Sequence, residues 1–139
     1  MNQPIGSLKD TAKVVTAPAQ TSVAEAAGLM LAHGVGAVLV VDNDTLAGIF
    51  TEHDIVSRVI APGRDPIAVH IGEVMTREPL TVAPEATLGH ALALMHERGF
   101  RHLPVVRDGR PVGIVCARNA LDPELEDFVV EAHRRQRYL

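Results

Sequence analysis

An internal repeat is the feature that most constrains how this 139-residue chain can fold. When the sequence is shifted by 65 residues, glycines, methionines and paired valines of the two halves fall in one register. The aligned residues are Gly34 with Gly99, Leu29-Met30 with Leu94-Met95, Val40-Val41 with Val105-Val106, and Gly48-Ile49 with Gly113-Ile114. Because chance seldom aligns such residues together, the chain contains two unequal copies of one unit.

The first copy is predicted to fold as strand, helix, strand, strand and helix. A short strand comes first, and a helix follows it with Ser22 as N-cap and Glu25 completing a capping box. Gly34 ends this helix, since glycine adopts the left-handed cap conformation without penalty. Segments 37–41 and 47–51 are predicted to form two strands, and a second helix follows over 52–60.

The second copy repeats this plan. Thr87 is predicted to cap its first helix and Gly99 to end it. A hairpin follows, in which Asp108-Gly109 is a strong turn signal. Asp122 is then predicted to be the N-cap of a C-terminal helix, with Pro123 at its first helical position.

The repeat predicts an α/β (α+β) fold of two tandem β-α-β-β-α units. We assign repeat 1 to residues 8–61, a linker to 62–72, repeat 2 to 73–121 and a C-terminal helix to 122–139. A unit this small buries too little apolar area to be stable alone. The two copies are therefore expected to pack together about a pseudo-twofold axis, with a ligand cleft between them.

Composition excludes several classes of partner. With 17 acidic residues against 13 Lys and Arg, the net charge is −4, so no general attraction to nucleic acid or anionic lipid is expected. Wholly apolar runs such as 37–41 are far shorter than the ~20 residues of a membrane span. Residues 1–10 have no signal-peptide pattern, and Cys116 is the only cysteine. These features predict a cytoplasmic location.

Several segments resemble the signature of the CBS domain, the module named after cystathionine β-synthase. They are 34–42 and 48–55 in the first copy, 74–76 and 80–82 after the linker, and 100–106 and 113–115 in the second copy. The resemblance covers about residues 8–121 and is that of a stand-alone bacterial CBS-domain pair. It implies a regulatory module that binds an adenosine-containing ligand, dimerises with a second copy and acts on a protein effector. AMP, ADP and ATP are the expected ligands, with S-adenosylmethionine and NAD(H) as alternatives.

The segment 51–54 is the best candidate for ligand contact. The carboxylate of Asp54 can accept hydrogen bonds from both ribose hydroxyls, and the Thr51 hydroxyl would face the same pocket. His53 is a candidate phosphate contact. The resemblance implies that Thr76 and Thr81 from the other copy complete the site. It also implies that Ile49, Gly36 and Ala37 line the adenine.

A structural alternative applies to the same residues. The pattern Thr-x-x-Asp is also a helix capping box, in which Thr51 and Asp54 satisfy the first turn of the helix. The two roles can coexist.

The second copy departs from this pattern. Cys116 and Asn119 stand where the first copy has Thr51 and Asp54, and an amide lacks the charge and paired acceptors of a carboxylate. This site is predicted to bind more weakly or not at all. Arg101, His102 and Arg118 are either phosphate contacts or solvated surface cations. The residues assigned to this second site are Thr11, Thr16, Arg101, His102, Ile114, Cys116, Arg118 and Asn119.

Nothing in the sequence points to catalysis or to a metal site. Cys116 ends a buried strand, where cysteine usually behaves as a small hydrophobe, and no signature names a base beside it. The seven histidines show neither His-x-x-x-His pairs nor zinc-type Cys/His spacing. The chain is therefore predicted not to be an enzyme. The alternative to ligand binding is a ligand-free scaffold for dimerisation and protein interaction.

Overall fold

The computed structural model describes residues 2–7 and 14–117. The chain divides into two compact units. Of the described residues, 14–80 and 108–111 form the first unit, and 2–7, 81–107 and 112–117 form the second. The predictions for Thr11, Arg118, Asn119 and the C-terminal helix 122–139 lie outside the described residues.

A four-stranded sheet forms the centre of the first unit. Its strands are β1 (Thr16–Pro18), β2 (Ala37–Asp42), β3 (Thr45–Thr51) and β4 (Thr76–Arg77), in that order across the sheet. β1 runs parallel to β2, whereas β2 with β3 and β3 with β4 are antiparallel. The first four residues of β2 are all buried, as the apolar run 37–41 predicts.

Helix α1 (Val23–His33) covers this sheet, and its ends are those predicted. The Ser22 side chain accepts a hydrogen bond from the N–H of Glu25 at 3.1 Å. Gly34 ends the helix with φ 65°, a left-handed conformation that favours glycine. Val23, Ala26 and Met30 are spaced three and four residues apart and are buried in the core, as expected for the apolar face of an amphipathic helix.

The second helical segment has the predicted extent but not the predicted type. It begins as α2 (Glu52–Asp54) and continues as a π-helix (Ile55–Ile60). The wider turn shows in the N–H of Ala61, which donates to the carbonyl of Val56 five residues earlier at 2.9 Å. Apolar spacing locates a helix but does not distinguish these two turns, which is why the sequence did not predict the π-helix.

The leading segment of the second copy belongs to the first unit. Helix α3 (Ile71–Val74) begins inside the predicted linker 62–72 and β4 follows it, yet both pack in the unit built by the first copy. The N–H of Ile71 donates to the carbonyl of Thr21 at 2.8 Å, and the N–H of Gly72 donates to that of Ala19 at 3.0 Å. Helix α3 was not predicted from the sequence.

The second unit is built from α4 (Leu88–Arg98), β5 (His102–Arg107) and β6 (Arg110–Cys116). Thr87 caps α4 and Gly99 ends it with φ 74°, as predicted. The strand that corresponds to β1 is reduced to one parallel bridge between Val82 and Val105. The tip of the β5–β6 hairpin, 108–111, is assigned to the first unit.

The second unit takes its leading segment from the start of the chain. A short 3-10 helix (Ile5–Ser7) packs there with Ile5 completely buried. The N–H of Ile5 donates to Ala86 and that of Gly6 to Pro84, both at 2.9 Å. These acceptors lie 65 residues after Thr21 and Ala19, so the same contact is made in both units.

Because Ile5 is fully buried in the second unit, Ile5→Ala removes core contacts and leaves a cavity. We expect it to lower the free energy of unfolding by about 2–4 kcal/mol, measured by urea denaturation. The matched control is Ile67→Ala, because Ile67 is 76% exposed and its truncation should change stability by less than about 0.5 kcal/mol. Equal effects of the two substitutions would contradict this placement of residues 5–7.

Candidate functional site

Most of the predicted ligand-binding residues meet at one end of the sheet of the first unit. Ala37 pairs with Thr51 across β2 and β3, and Thr76 pairs with Ile49 across β3 and β4. The carbonyl of Gly36 accepts the N–H of the residue after Thr51 at 3.0 Å. The antiparallel pairings thus bring together residues that are 14 and 27 positions apart in the sequence.

Asp54 is the one buried charged residue within 2–7 and 14–117, with 6% of its surface exposed. Its Oδ2 atom accepts the N–H of Thr51 at 2.9 Å and the Thr51 hydroxyl at 3.1 Å. The N–H of Asp54 donates in return to Thr51 Oγ1 at 3.3 Å. The capping box is therefore complete, and the structural role predicted for this pair is present.

The second carboxylate oxygen of Asp54 is differently placed. Oδ1 lies 3.6 Å from Nε of Arg58, an ion pair longer than the 2.7–3.2 Å of an N–H···O hydrogen bond. A carboxylate has about four acceptor positions, and Oδ2 takes both donors of Thr51. Oδ1 is thus the carboxylate oxygen at which fewer protein donors compete with a ligand hydroxyl for the acceptor positions.

Arg58 was not among the predicted site residues. Its Nη1 donates to the carbonyls of Val74 at 3.0 Å and Met75 at 3.1 Å. These carbonyls end α3 immediately before Thr76. One guanidinium thus joins the Asp54 carboxylate to the segment that carries Thr76.

The other predicted residues are more dispersed. His53 is exposed on α2, and its carbonyl accepts the Ser57 hydroxyl at 2.8 Å. Thr16 is exposed on β1 of the first unit. Thr81 is exposed in the second unit, and its part in the site stays a prediction.

The second copy has a thiol and an imidazole at the corresponding end of its hairpin. His102 Nδ1 lies 3.2 Å from Cys116 Sγ, and Cys116 is 6% exposed. By the repeat these residues correspond to Ala37 and Thr51. The sequence named no base beside Cys116, because the contact depends on the folded hairpin, which brings the first residue of β5 to the last residue of β6.

Two further residues predicted for the second site lie in the same hairpin region. Ile114 is buried in β6, whereas Arg101 is exposed just before β5. The carbonyl of Arg101 accepts the N–H of Ala117 at 3.2 Å. The assignment of a ligand to these residues stays a prediction.

Glu73 stabilises the start of α3 through its carboxylate. It accepts the N–H of His70 at 2.8 Å and pairs with Arg64 at 3.2 Å. The hydrogen bond from His70, with the nearby Arg64 charge, lowers the pKa of Glu73. Its contribution to stability is therefore present above its ordinary pKa and is lost as the pH falls through the lowered one.

Within 2–7 and 14–117, no group of three or more His, Cys, Asp or Glu side chains lies close enough to hold a metal ion. In the same part of the chain, no helix has the length and apolar character needed to cross a membrane.

Comparison with known proteins identifies the family. A sequence model of the CBS domain matches residues 5–61 and 71–123. The chain belongs to the CBS-domain family. The tandem matches confirm the resemblance and the α/β fold of two CBS repeats, whereas the predicted boundaries 8–61, 62–72, 73–121 and 122–139 stay predictions.

The similar proteins include an uncharacterised protein and two proteins whose structures contain CBS domains. The protein MK0525 of Methanopyrus kandleri, which is uncharacterised, is 34% identical to this chain over 86% of the chain's length. The matched region spans only 62% of the length of MK0525. A solved protein with CBS domains from Burkholderia ambifaria is 32% identical, with a TM-score of 0.77 over 94% of this chain and 93% of that one. The CBS domain pair of the protein MJ0100, solved with 5′-methylthioadenosine and S-adenosylmethionine, is 28% identical to this chain. The two structures match with a TM-score of 0.75 over 84% of this chain and 91% of the MJ0100 chain.

The close approach of β3 and β4 in the first CBS repeat depends on Gly48. A Cβ atom there would lie 2.8 Å from the carbonyl oxygen of Thr76 and would collide with the Met75 side chain. Gly48→Ala must therefore push β4 away, and we expect it to lower the free energy of unfolding by about 1–3 kcal/mol in urea denaturation.

Gly113 offers the matched control, since it occupies the same position in the second repeat. A Cβ atom there would meet Val105 at 3.5 Å, an ordinary van der Waals distance. Gly113→Ala should therefore change stability by less than about 1 kcal/mol. If Gly48→Ala were as mild as Gly113→Ala, the close packing of β4 on β3 would be wrong.

Proposed function

We propose that this CBS-domain protein is a regulatory module that senses an adenosine-containing nucleotide through Asp54. The observation that carries the proposal is the buried carboxylate of Asp54, whose Oδ1 makes only one long contact beside the sheet end that holds Ile49 and Thr76. Proteins of the CBS-pair family are regulatory, and the related pair of MJ0100 was solved with two adenosine compounds. Both facts support an adenosine ligand here.

The carboxylate is suited to a ribose. The 2′- and 3′-hydroxyls are adjacent donors, and Oδ1 of Asp54 offers the acceptor positions that Thr51 does not use. In this arrangement Thr51 orients the carboxylate rather than contacting the ligand, so capping and ligand binding coexist. Charge-assisted hydrogen bonds of this kind are stronger than neutral ones.

The base of the ligand would lie against the apolar end of the sheet. Ile49 is buried there, and the backbone of Gly36 and Ala37 is buried beside it. Small residues let an aromatic base approach the backbone closely. AMP, ADP and ATP are the proposed ligands, with S-adenosylmethionine and NAD(H) as alternatives.

The second repeat would bind such a ligand more weakly. Cys116 replaces the capping hydroxyl and is engaged with His102, and position 119 holds an asparagine instead of an aspartate. An amide oxygen is a weaker acceptor for two hydroxyl donors than a carboxylate is. The module would then respond to one nucleotide per chain, and the ligand would shift the population of conformers that an effector recognises.

The test is isothermal titration calorimetry with AMP, ATP, NADH and S-adenosylmethionine. We expect at least one to bind, and Asp54→Asn to weaken that binding by about tenfold or more, because the charged acceptor is lost. Asp65→Asn is the matched control. Asp65 also accepts a nearby backbone N–H, that of Ile67 at 3.0 Å, but it lies in an exposed turn.

Two results would overturn the proposal. One is the absence of binding by all four compounds. The other is binding that Asp54→Asn and Asp65→Asn leave equally unchanged.

One observation favours the ligand-free scaffold as a second candidate function. Five large apolar side chains of the first unit are exposed: Leu31, Val56, Ile60, Ile67 and Leu80. Exposed apolar side chains are typical of protein interaction surfaces when they are contiguous. Homodimerisation and binding of a protein effector remain proposals under both functions.

A nucleotide panel in thermal denaturation separates the two functions. A ligand that binds only the folded protein must raise the melting temperature, by an amount that grows with its concentration. The scaffold predicts no shift with any nucleotide. A concentration-dependent rise with one adenosine compound would exclude the scaffold as the whole function.

A further inference from the structure

We propose that Arg58 is a positioning residue that couples the Asp54 carboxylate to the segment carrying Thr76. Arg58 contacts both sides of this connection with one planar group: Nε faces Asp54 Oδ1, and Nη1 donates to the carbonyls of Val74 and Met75. The consequence for ligand binding rests on the proposed function, whereas the coupling itself is a property of the free protein.

The geometry makes the guanidinium a rigid link. Its donors are fixed in one plane, so a change at Nε reorients Nη1 as well. The two hydrogen bonds to the end of α3, at 3.0 and 3.1 Å, are short, whereas the contact with Asp54 is 3.6 Å. The contact between Arg58 and Asp54 is therefore the first to lengthen or break when another donor approaches Oδ1.

A simple surface ion pair would not have this consequence. Exposed pairs contribute little to stability, and the Arg58 side chain is 48% exposed. Its partner, however, is a carboxylate that is buried and held on its other oxygen by Thr51. Asp54 is thus held in place, so when their contact lengthens it is the guanidinium that reorients, and with it the Nη1 group on the carbonyls of Val74 and Met75.

The two repeats differ at both ends of this link. The position that corresponds to Asp54 is Asn119, and the position that corresponds to Arg58 is Pro123. Neither side chain can form an ion pair. The coupling is therefore a feature of the first repeat, where the carboxylate also is.

The experiment measures amide hydrogen exchange of residues 74–78 in the free protein. Two of their backbone donors report directly on the segment: Met75 N–H bonds to Ile71 at 2.9 Å, and Glu78 N–H bonds to Ala47 at 3.3 Å. We expect Arg58→Gln to speed exchange here by about threefold, because the anchor on the two carbonyls is lost.

The coupling is measured by comparing the effect of Asp54→Asn in the wild-type protein with its effect in the Arg58→Gln variant. Asp54→Asn should speed exchange of residues 74–78 when Arg58 is present, since the guanidinium loses its charged partner. In the Arg58→Gln background the same substitution should add less than about 1.5-fold, because the link is already absent. Arg58→Lys keeps the charge but not the planar fork, so it should restore only part of the coupling.

Arg64→Gln is the matched control. Arg64 is similarly exposed and also binds α3, through Glu73, but it contacts neither Asp54 nor the carbonyls of Val74 and Met75. In the Arg64→Gln background, Asp54→Asn should therefore keep its full effect on residues 74–78. Equal effects of Asp54→Asn with and without Arg58 would overturn the inference, whatever the stability of the variants.

Nucleotide binding by the same variants distinguishes failure of this inference from failure of the proposed function. If the wild-type protein binds a nucleotide, Arg58→Gln should weaken binding by about fivefold and Arg64→Gln should leave it unchanged. If the wild-type protein binds none, the proposed function fails, and the exchange cycle alone decides the coupling. Unchanged affinity in Arg58→Gln, when the wild type binds, would contradict the positioning role.

Discussion

The backbone pairing of residues 71–77 with the first repeat is the constraint on which the candidate site depends. The N–H groups of Ile71 and Gly72 fix α3 on the loop that precedes α1, and β4 then pairs with β3. Gly48 permits this approach, since any side chain there would meet β4. Without this pairing, Thr76 and the carbonyls that Arg58 binds would have no fixed position near Asp54.

The two CBS repeats conserve their framework but differ in chemistry. Both have a side-chain cap and a glycine at the ends of their first helix, and both receive a leading segment through equivalent carbonyls, Ala19 in one and Pro84 in the other. The chemistry changes at the hairpin ends. The first repeat has a hydroxyl and a buried carboxylate there, whereas the second has a buried thiol beside an imidazole.

Local features of the fold could be predicted from the sequence, because short-range interactions determine them. Ser22, Gly34, Thr87 and Gly99 define helix ends through contacts within a few residues, and all four were predicted. The exchange of leading segments was missed because it joins distant parts of the chain. A signal was present, since Pro4-Ile5-Gly6 resembles His70-Ile71-Gly72 at an offset of 66 residues.

The candidate site could be predicted only in part for the same reason. Thr51 and Asp54 stand in a recognisable pattern, but the occupation of one carboxylate oxygen by Thr51 is a matter of geometry. The contacts of Arg58 with Val74 and Met75 span 16 and 17 residues, and no sequence pattern indicates them. The sequence alignment of the repeats does place Pro123 opposite Arg58, a difference that could have drawn attention to this arginine.

Native mass spectrometry of the purified protein tests the central claim most directly, namely that Asp54 holds an adenosine compound. We expect AMP, ATP, NADH or S-adenosylmethionine to add its own mass to the wild-type chain, with about one ligand per chain at low concentration. We expect much lower occupancy in Asp54→Asn and unchanged occupancy in Asp65→Asn. Equal occupancy of the wild-type and Asp54→Asn proteins, or no adduct with any of the four compounds, would contradict the claim.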